Sequence, residues 1–113
     1  MRIIPPTDDG DFPYDAALRL LQQSPDIRQR PTDITAIVTH GIAIGWPQDL
    51  VDLHMRWLQE GGVFDFDDAE QEGISCTLWR DNIFFRFFSE SHHARCIPMI
   101  EAMASTLGCR ILR

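Results

Sequence analysis

A run of acidic residues is the densest group of chemically active side chains in the sequence, with five carboxylates between positions 65 and 72. Carboxylates spaced in this way bind Ca²⁺ in EF-hand loops. Here, however, Ala69 stands at the fifth loop position, glycine is missing from the sixth, and Cys76 stands where the loop needs a bidentate glutamate. The pattern therefore predicts a solvated loop or an acidic surface for a basic partner, and no metal site. The five acids are Asp65, Asp67, Asp68, Glu70 and Glu72.

The histidines form the second group of chemically active side chains, and His54 has the most informative neighbours. It falls on the apolar face of a predicted helix, with leucines at helical spacing on either side. A histidine in that setting is either a partly buried residue bonded to backbone or carboxylate, or a polar group in a pocket. His40 and His92 are the other candidate ligand-binding histidines. Because adjacent His92 and His93 point in different directions on a helix, no zinc site is predicted.

The three cysteines, Cys76, Cys96 and Cys109, match no disulfide framework or zinc ribbon, because their number is odd and no C-x-x-C occurs. Cys96 follows His92 by four residues, which would place a thiol and an imidazole on one helical face. That spacing also fits a small buried cysteine, which is the interpretation we prefer. No nucleophile elbow, phosphate loop or dinucleotide fingerprint occurs. We therefore expect a protein without a cofactor that is not an enzyme, with a small enzyme as the weakest alternative.

The length and the charge of the chain further narrow the class of protein to which it can belong. The chain has 113 residues, which favours one domain over 1–113, and a formal net charge of −7. All ten cationic residues are arginines, and they are scattered, so direct nucleic-acid binding is not expected. No apolar run approaches the roughly 20 residues that cross a bilayer, and the first residues lack the apolar segment of a secretion signal. We expect a cytoplasmic protein.

The element that must position these side chains is a β-hairpin predicted at 74–88, where two aromatic and β-branched runs flank turn residues 80–82. In its second arm, Phe85 and Phe87 would point to one face of a sheet and Phe84 to the other. A sheet with aromatic side chains on both faces needs a cover on each. The candidate covers of the second face are the N-terminal helix, a second copy of the chain, or another partner.

The rest of the pattern predicts an α+β fold with a β-α-β-β-α-β order. This ferredoxin-like sandwich would have a four-stranded antiparallel sheet with both core helices on one face, plus an extra N-terminal helix. Residues 1–31 would form an extended arm, a helix from Pro13 and a linker, and residues 32–113 would form the core. The predicted core elements are a strand at 33–44, a helix at 47–60, a strand from 63, the hairpin, a helix at 94–107 and a strand at 109–112.

The charge and the aromatic residues together suggest a non-enzymatic module that caps a basic surface of a partner protein, as inhibitors or toxin-immunity-type proteins do. Acidic residues speed association and aromatic anchors slow release. The alternative is a small-ligand or metal-binding regulatory domain that uses His40, His54 and His92 in a cleft. The predicted partner-binding residues are Asp65, Asp67, Asp68, Glu70, Glu72, Trp46, Trp79 and Phe84.

Overall fold

The fold is α+β, with helices on both faces of one open antiparallel sheet. A computed structural model describes residues 1–32, 34–68, 73–87 and 89–113. The elements are β1 Arg2–Ile4, α1 Tyr14–Gln23, β2 Ile27–Arg30, α2 Ile34–Ala43, α3 Gln48–Glu60, β3 Phe64–Asp68, β4 Ile74–Leu78, β5 Ile83–Phe87, α4 Glu90–Leu107 and β6 Arg110–Leu112. Across the described residues, the six strands lie in the order β2-β3-β4-β5-β1-β6.

The first face of the sheet forms the main core together with α1 and α4. Alternation along β4 and β5 points every second side chain to this face, and burial of such apolar side chains supplies most of the stabilisation. Phe66 and Phe85 are the largest side chains at its centre, and both are almost fully buried. The other buried members are Ile3, Ala17, Leu21, Ile27, Ile74, Cys76, Leu78, Ile83, Cys96, Ile100, Met103 and Ala104.

The second face of the sheet carries both polar and aromatic side chains and lies under the α2–α3 pair. Asp65, Ser75 and Thr77 point to it and are each 3% exposed. Beside them, Leu58 of α3 packs with Val63 and Trp79 in a smaller apolar cluster, which Ile37, Val38, Trp57 and Phe84 extend. This second face is therefore the one on which chemically active groups are gathered.

Several predicted elements are confirmed. β4 and β5 form the hairpin, with the Trp79 amide donating to the Asn82 carbonyl at 2.9 Å across the turn. The helices predicted from Pro13 and Pro47 are α1 and α3, and the terminal strand is β6. The last helix begins at Glu90 behind a Ser89 N-cap, continues through Pro98, and ends at Gly108, whose φ of 66° is the left-handed value typical of a helix terminus.

The strand predicted at 33–44 is wrong, because residues 34–43 form helix α2. Its β-branched residues favour a strand by propensity, but Ile37, Val38 and Gly41 also satisfy helical spacing. The segment is helical because, in a helix, Ile37 and Val38 pack against the smaller apolar cluster. Asp33, the first residue of the predicted strand, lies outside the described residues.

The four-stranded ferredoxin-like sheet is not confirmed, because two segments taken for an arm and a linker are strands. Residues 2–4 form β1 between β5 and β6, and residues 27–30 form the edge strand β2. The two core helices also lie on opposite faces, since α3 packs on the Trp79 side and α4 on the Phe85 side. The cover of the second face is the α2–α3 pair, while α1 joins α4 on the first face.

Candidate functional site

A cavity of about 210 Å³ lies between the α2–α3 pair and the second face of the sheet. Helix α3 and the turn before it supply Trp46, His54 and Trp57 to one wall. The strands supply Phe84 and Arg86 to the opposite wall, and the β4–β5 turn closes one side. The cavity therefore combines apolar rings with a few polar groups, which is the usual composition of a small-ligand site.

Gly41 fixes the position of Trp46, the residue that leads from α2 into α3. The Trp46 amide donates to the Gly41 carbonyl at 3.0 Å, and the indole lies so close to Gly41 that a Cβ there would overlap the ring. Glycine at position 41 therefore permits the close approach of the indole to α2. A side chain at this position would push the indole out of the cavity wall.

His54 is the centre of an aromatic cluster on the cavity wall. Its ring stacks on Trp46, with centroids 4.5 Å apart and planes inclined by 24°. Trp79 meets it edge-on at 4.6 Å and 89°, and Trp57 lies at 5.3 Å. The chain has three tryptophans, so every indole of the protein borders both His54 and the cavity. Such ring arrangements stabilise one another beyond the area they bury.

The tautomer of His54 follows from its hydrogen bond. Its Nδ1 lies 2.8 Å from the Leu50 carbonyl oxygen, which can only accept, so Nδ1 carries the proton. In the neutral ring, Nε2 then remains as a hydrogen-bond acceptor. His54 can therefore receive a proton donor from a ligand on its Nε2 side, while the Nδ1 bond holds the ring against the helix.

The strand side of the cavity is a row of paired side chains. Register places Phe84 of β5 opposite Thr77 of β4 on one side and Arg2 of β1 on the other. The Arg2 guanidinium carbon lies 5.3 Å from the Phe84 ring centroid, a cation–π contact. Thr77 Oγ1 donates to Asp65 Oδ1 at 2.7 Å, which satisfies that buried carboxylate oxygen.

Two buried polar atoms at the cavity have no hydrogen-bond partner among the described residues. They are Nε of Arg86 and Oδ1 of Asn82. The orientation of the Asn82 amide is fixed, because its Nδ2 donates to Asp81 Oδ1 at 2.6 Å. A buried donor or acceptor that stays unpaired costs about 1–3 kcal/mol. Both residues line the cavity, but the two atoms themselves are closed to solvent, so a ligand would bond to them only after a movement of the side chains.

The predicted acidic surface is divided by the fold. Asp65 is buried on the second face, and Asp67 forms an ion pair with Arg30 at 3.1 Å. Asp68 is the last residue of β3, opposite Ile27. Glu70 and Glu72 lie outside the described residues. The two carboxylates whose side chains are described are thus engaged with other groups of the chain.

Five of the other predicted site residues meet at the cavity. His40, His54, Trp46, Trp79 and Phe84 all line it. Both functional hypotheses contribute to this set. Trp46, Trp79 and Phe84 are the predicted anchors for a protein partner, and the two histidines are predicted ligand-binding residues. Trp79 is only 7% exposed, so its side chain faces the cavity and the apolar cluster.

His92 lies away from the cavity, at the start of α4. Its Nδ1 is 2.9 Å from Ser89 Oγ, and its ring packs against Gly73, where a Cβ would overlap it. Ser89 Oγ also accepts from the His92 amide at 3.2 Å. These contacts make His92 part of the N-terminal cap of α4.

The cavity residues that sequence reasoning missed include Arg2, Asn82 and Arg86. Arg86 had a visible signal, because a single arginine interrupts the aromatic run of β5 on the face that Phe84 shares. Arg2 gave no comparable signal, since it reaches the cavity only through pairing between strands from opposite parts of the chain.

The thiols do not provide a nucleophile at this site. Burial raises the pKa of the Cys76 thiol, and the neighbouring Asp65 and Asp67 carboxylates raise it further. Burial also raises the pKa of Cys109. A thiol with a raised pKa has little thiolate and reacts slowly. Within the described ranges, no group of three or more His, Cys, Asp or Glu side chains is arranged to hold a metal ion.

Comparison with known proteins adds no assignment. No protein family, no curated protein and no solved structure matches the chain. In the part of the chain that the structure describes, no helix is both long and apolar enough to cross a membrane.

Proposed function

We propose that the protein is a non-enzymatic domain that binds a small organic ligand in the cavity under α2 and α3. The observation that carries this proposal is the pair of buried polar atoms, Arg86 Nε and Asn82 Oδ1, which lack partners among the described residues. Aromatic rings cover the walls between them. A ligand that occupies the space between the rings, and that bonds to both atoms after the Arg86 and Asn82 side chains adjust, would offset the cost of leaving them unpaired.

The size of the cavity indicates how large that ligand can be. A cavity of about 150 Å³ accommodates a benzene molecule. The cavity here measures about 210 Å³. It therefore has room for one ring with small substituents, and a larger ligand would extend beyond it.

Thermal unfolding with a panel of small single-ring compounds tests this proposal. A true ligand raises the melting temperature, because binding at about 100 times Kd adds about 2.7 kcal/mol to the free energy of unfolding. His54→Ala should abolish the rise, since it removes the central ring and its Nε2 acceptor. The matched control is His93→Ala, an exposed histidine of α4 outside the cavity, which should keep the rise. The proposal fails if no compound stabilises the unaltered protein.

A second proposal is the acidic module that binds a basic protein. It is supported by the formal net charge of −7, and by Ile42 and Ile44 at the end of α2, which are 62% and 60% exposed. Exposed aliphatic residues on a protein of negative net charge can combine an apolar anchor with electrostatic steering. The occupant would be a basic protein, and the acids predicted to contact it include Asp67 and Asp68.

Charge reversal separates this second proposal from the first. Asp67→Arg with Asp68→Arg should abolish retention of a basic protein partner on the immobilised chain, with little change in melting temperature. Asp49→Arg with Asp52→Arg, on the exposed side of α3, is a control of equal charge change. Equal loss of retention in both double variants would show that net charge alone attracts the partner, and would contradict a defined contact surface at 67–68.

A further inference from the structure

The charges that border the cavity indicate which class of ligand it would take. Two guanidinium groups, Arg2 and Arg86, lie on the strand side, although the chain as a whole has a formal charge of −7. Among the residues that the structure describes, the one carboxylate that borders the cavity is Asp81, which is exposed at the turn and already accepts from Asn82. The neighbouring acids on the same face are engaged elsewhere, Asp65 with Thr77 and Asp67 with Arg30. The positive charge on this wall is therefore the part of the site that still needs a partner.

Of the two arginines, Arg86 has the greater need for an anionic partner. Within the described residues, its guanidinium forms no ion pair, and its Nε is buried without an acceptor. Arg86 as a whole is partly buried, so only part of its guanidinium is hydrated, and a carboxylate is the group whose geometry matches a guanidinium through two parallel hydrogen bonds. Arg2 lies beyond Phe84 on the same face and adds to the positive potential.

The other residues of the cavity indicate that the ligand has a planar ring and a hydrogen-bond donor. The stacked pair of Trp46 and His54 and the ring of Phe84 provide flat apolar walls, which favour a planar ring. Asn82 Oδ1 and His54 Nε2 are both acceptors, so they need a hydroxyl or an amino group. Asn82 and Arg86 are four residues apart in an extended segment, or roughly 13 Å between their Cα atoms. One substituted ring and the arginine side chain can span that distance.

We propose that the ligand is a small aromatic carboxylate whose ring carries a hydroxyl or amino group opposite the carboxylate. Arg86 binds the carboxylate, the ring lies against the aromatic walls, and the hydroxyl or amino group donates to Asn82 Oδ1 or His54 Nε2. This inference depends on the proposed small-ligand site, and it adds the chemical class of the ligand.

Titration of tryptophan fluorescence with two matched probes tests the inference. The probes are 4-hydroxybenzoate and its neutral analogue 4-hydroxybenzamide, added to the unaltered full chain at neutral pH and constant ionic strength. All three indoles border the cavity, so a bound ring should change the emission in a saturable way. The acid should bind at least about tenfold more tightly than the amide, since a charge-assisted pair is stronger than a neutral one.

Two variants test whether Arg86 causes the preference for the acid over the amide. Arg86→Gln should bring the affinities for the acid and the amide to within about twofold of each other, because it removes the charge that distinguishes them. Arg28→Gln removes an exposed arginine that does not border the cavity, and should keep the preference. The comparison of the two probes in the unaltered protein needs no variant, so it decides the question even if Arg86→Gln does not fold.

Different results would overturn the carboxylate class, the role of Arg86 and the small-ligand site. Equal affinity for the two probes, or tighter binding of the amide, would overturn the carboxylate class and leave the small-ligand site standing. A preference for the acid that persists in Arg86→Gln would overturn the role of Arg86. If neither probe nor any other single-ring compound changes the emission, both the ligand class and the small-ligand site are wrong.

Discussion

The imidazole of His54 stacks on the indole of Trp46 at a centroid distance of 4.5 Å, and this contact joins helix α3 to the turn that precedes it. Both rings lie in the cavity wall, and Gly41 on α2 sits beneath the Trp46 ring. The wall therefore depends on a glycine, a tryptophan and a histidine from three consecutive pieces of chain. A substitution at any one of these three residues should therefore alter the packing of the other two.

Gly41→Ala should lower stability by about 1–3 kcal/mol, because the added Cβ overlaps the Trp46 ring and forces it to move. Helix propensity alone would act in the other direction, since alanine is favoured over glycine inside a helix by about 1 kcal/mol. The sign of the change in urea unfolding therefore separates the two effects. Ala43→Gly, at an exposed position of the same helix, should be mildly destabilising and leave the tryptophan emission unchanged. A Gly41→Ala protein more stable than the parent would contradict the close approach.

Thr77→Val should also destabilise the fold, by about 1–3 kcal/mol. The substitution keeps the side-chain shape but removes the hydroxyl that donates to Asp65 Oδ1, and both residues are buried. The carboxylate oxygen would then remain away from water without that bond. Thr106→Val, on the exposed side of α4, is the matched control and should change the denaturation midpoint little. Equal midpoints for the two variants would show that Asp65 does not need the hydroxyl.

Tyr14→Phe should cost about 1 kcal/mol at neutral pH, because the Tyr14 hydroxyl donates to the Gly62 carbonyl at 2.6 Å. This bond ties α1 to the turn that follows α3. Chemical denaturation of the two proteins measures the difference directly. No difference at neutral pH would mean that the bond contributes nothing to stability.

The same tyrosine gives a dependence on alkaline pH. Burial raises the pKa of Tyr14 above its ordinary value of 10.0; Arg80 opposes this shift and Asp15 adds to it. Since the pKa is higher in the folded state, the folded chain holds the phenolic proton more tightly. The corresponding stabilisation is complete below the unfolded pKa and is lost as pH rises through the folded pKa. Tyr14 is the chain's one tyrosine, so phenolate absorbance in native and urea-unfolded protein compares the two pKa values. A lower pKa in the native protein would contradict the prediction.

Alkylation of the native protein should reach Cys109 before Cys76. Both thiols have a raised pKa, but Cys109 is partly exposed, whereas Cys76 is buried in the main core. A thiolate must form and be reached by the reagent before it reacts. Mass spectrometry after brief treatment with iodoacetamide should therefore show modification at Cys109 and none at Cys76. In urea, both should react at similar rates, and early modification of Cys76 in the native protein would show that the core opens easily.

The parts of the fold that were predictable depend on local signals. The hairpin and helices α1, α3 and α4 each have their own start and stop residues, such as Pro47 before α3 and Gly108 after α4. Helix α2 was misassigned because its β-branched residues fit either period, and only its contact with the Trp79 cluster decides between them. β1 is three residues long and pairs with strands about 80 and 110 positions away, which no local pattern reveals.

The candidate site was predictable to a similar extent. His54 stood out because a histidine on an apolar helix face needs an explanation, and it proved to be the centre of the aromatic cluster. The acidic run stood out for its charge, yet β3 turns Asp65 inward and pairs Asp67 with Arg30. Asp65 and Asp67 lie on the same face of β3, so their burial depends on what packs over each of them, and the position of that strand in the sheet could not be read from the sequence.

The most direct measurement of the central claim is an amide and indole NMR spectrum of the isotopically labelled chain with and without the two hydroxybenzoyl probes. The three tryptophans give three indole N–H signals, and all three rings border the cavity. If the cavity binds a small aromatic ligand, the three signals should shift together and saturate, while the amides of β2, the edge strand two positions away from the nearest cavity strand, stay in place. Indole signals that stay unmoved at millimolar concentrations of both probes, or shifts confined to residues outside the cavity, would contradict it.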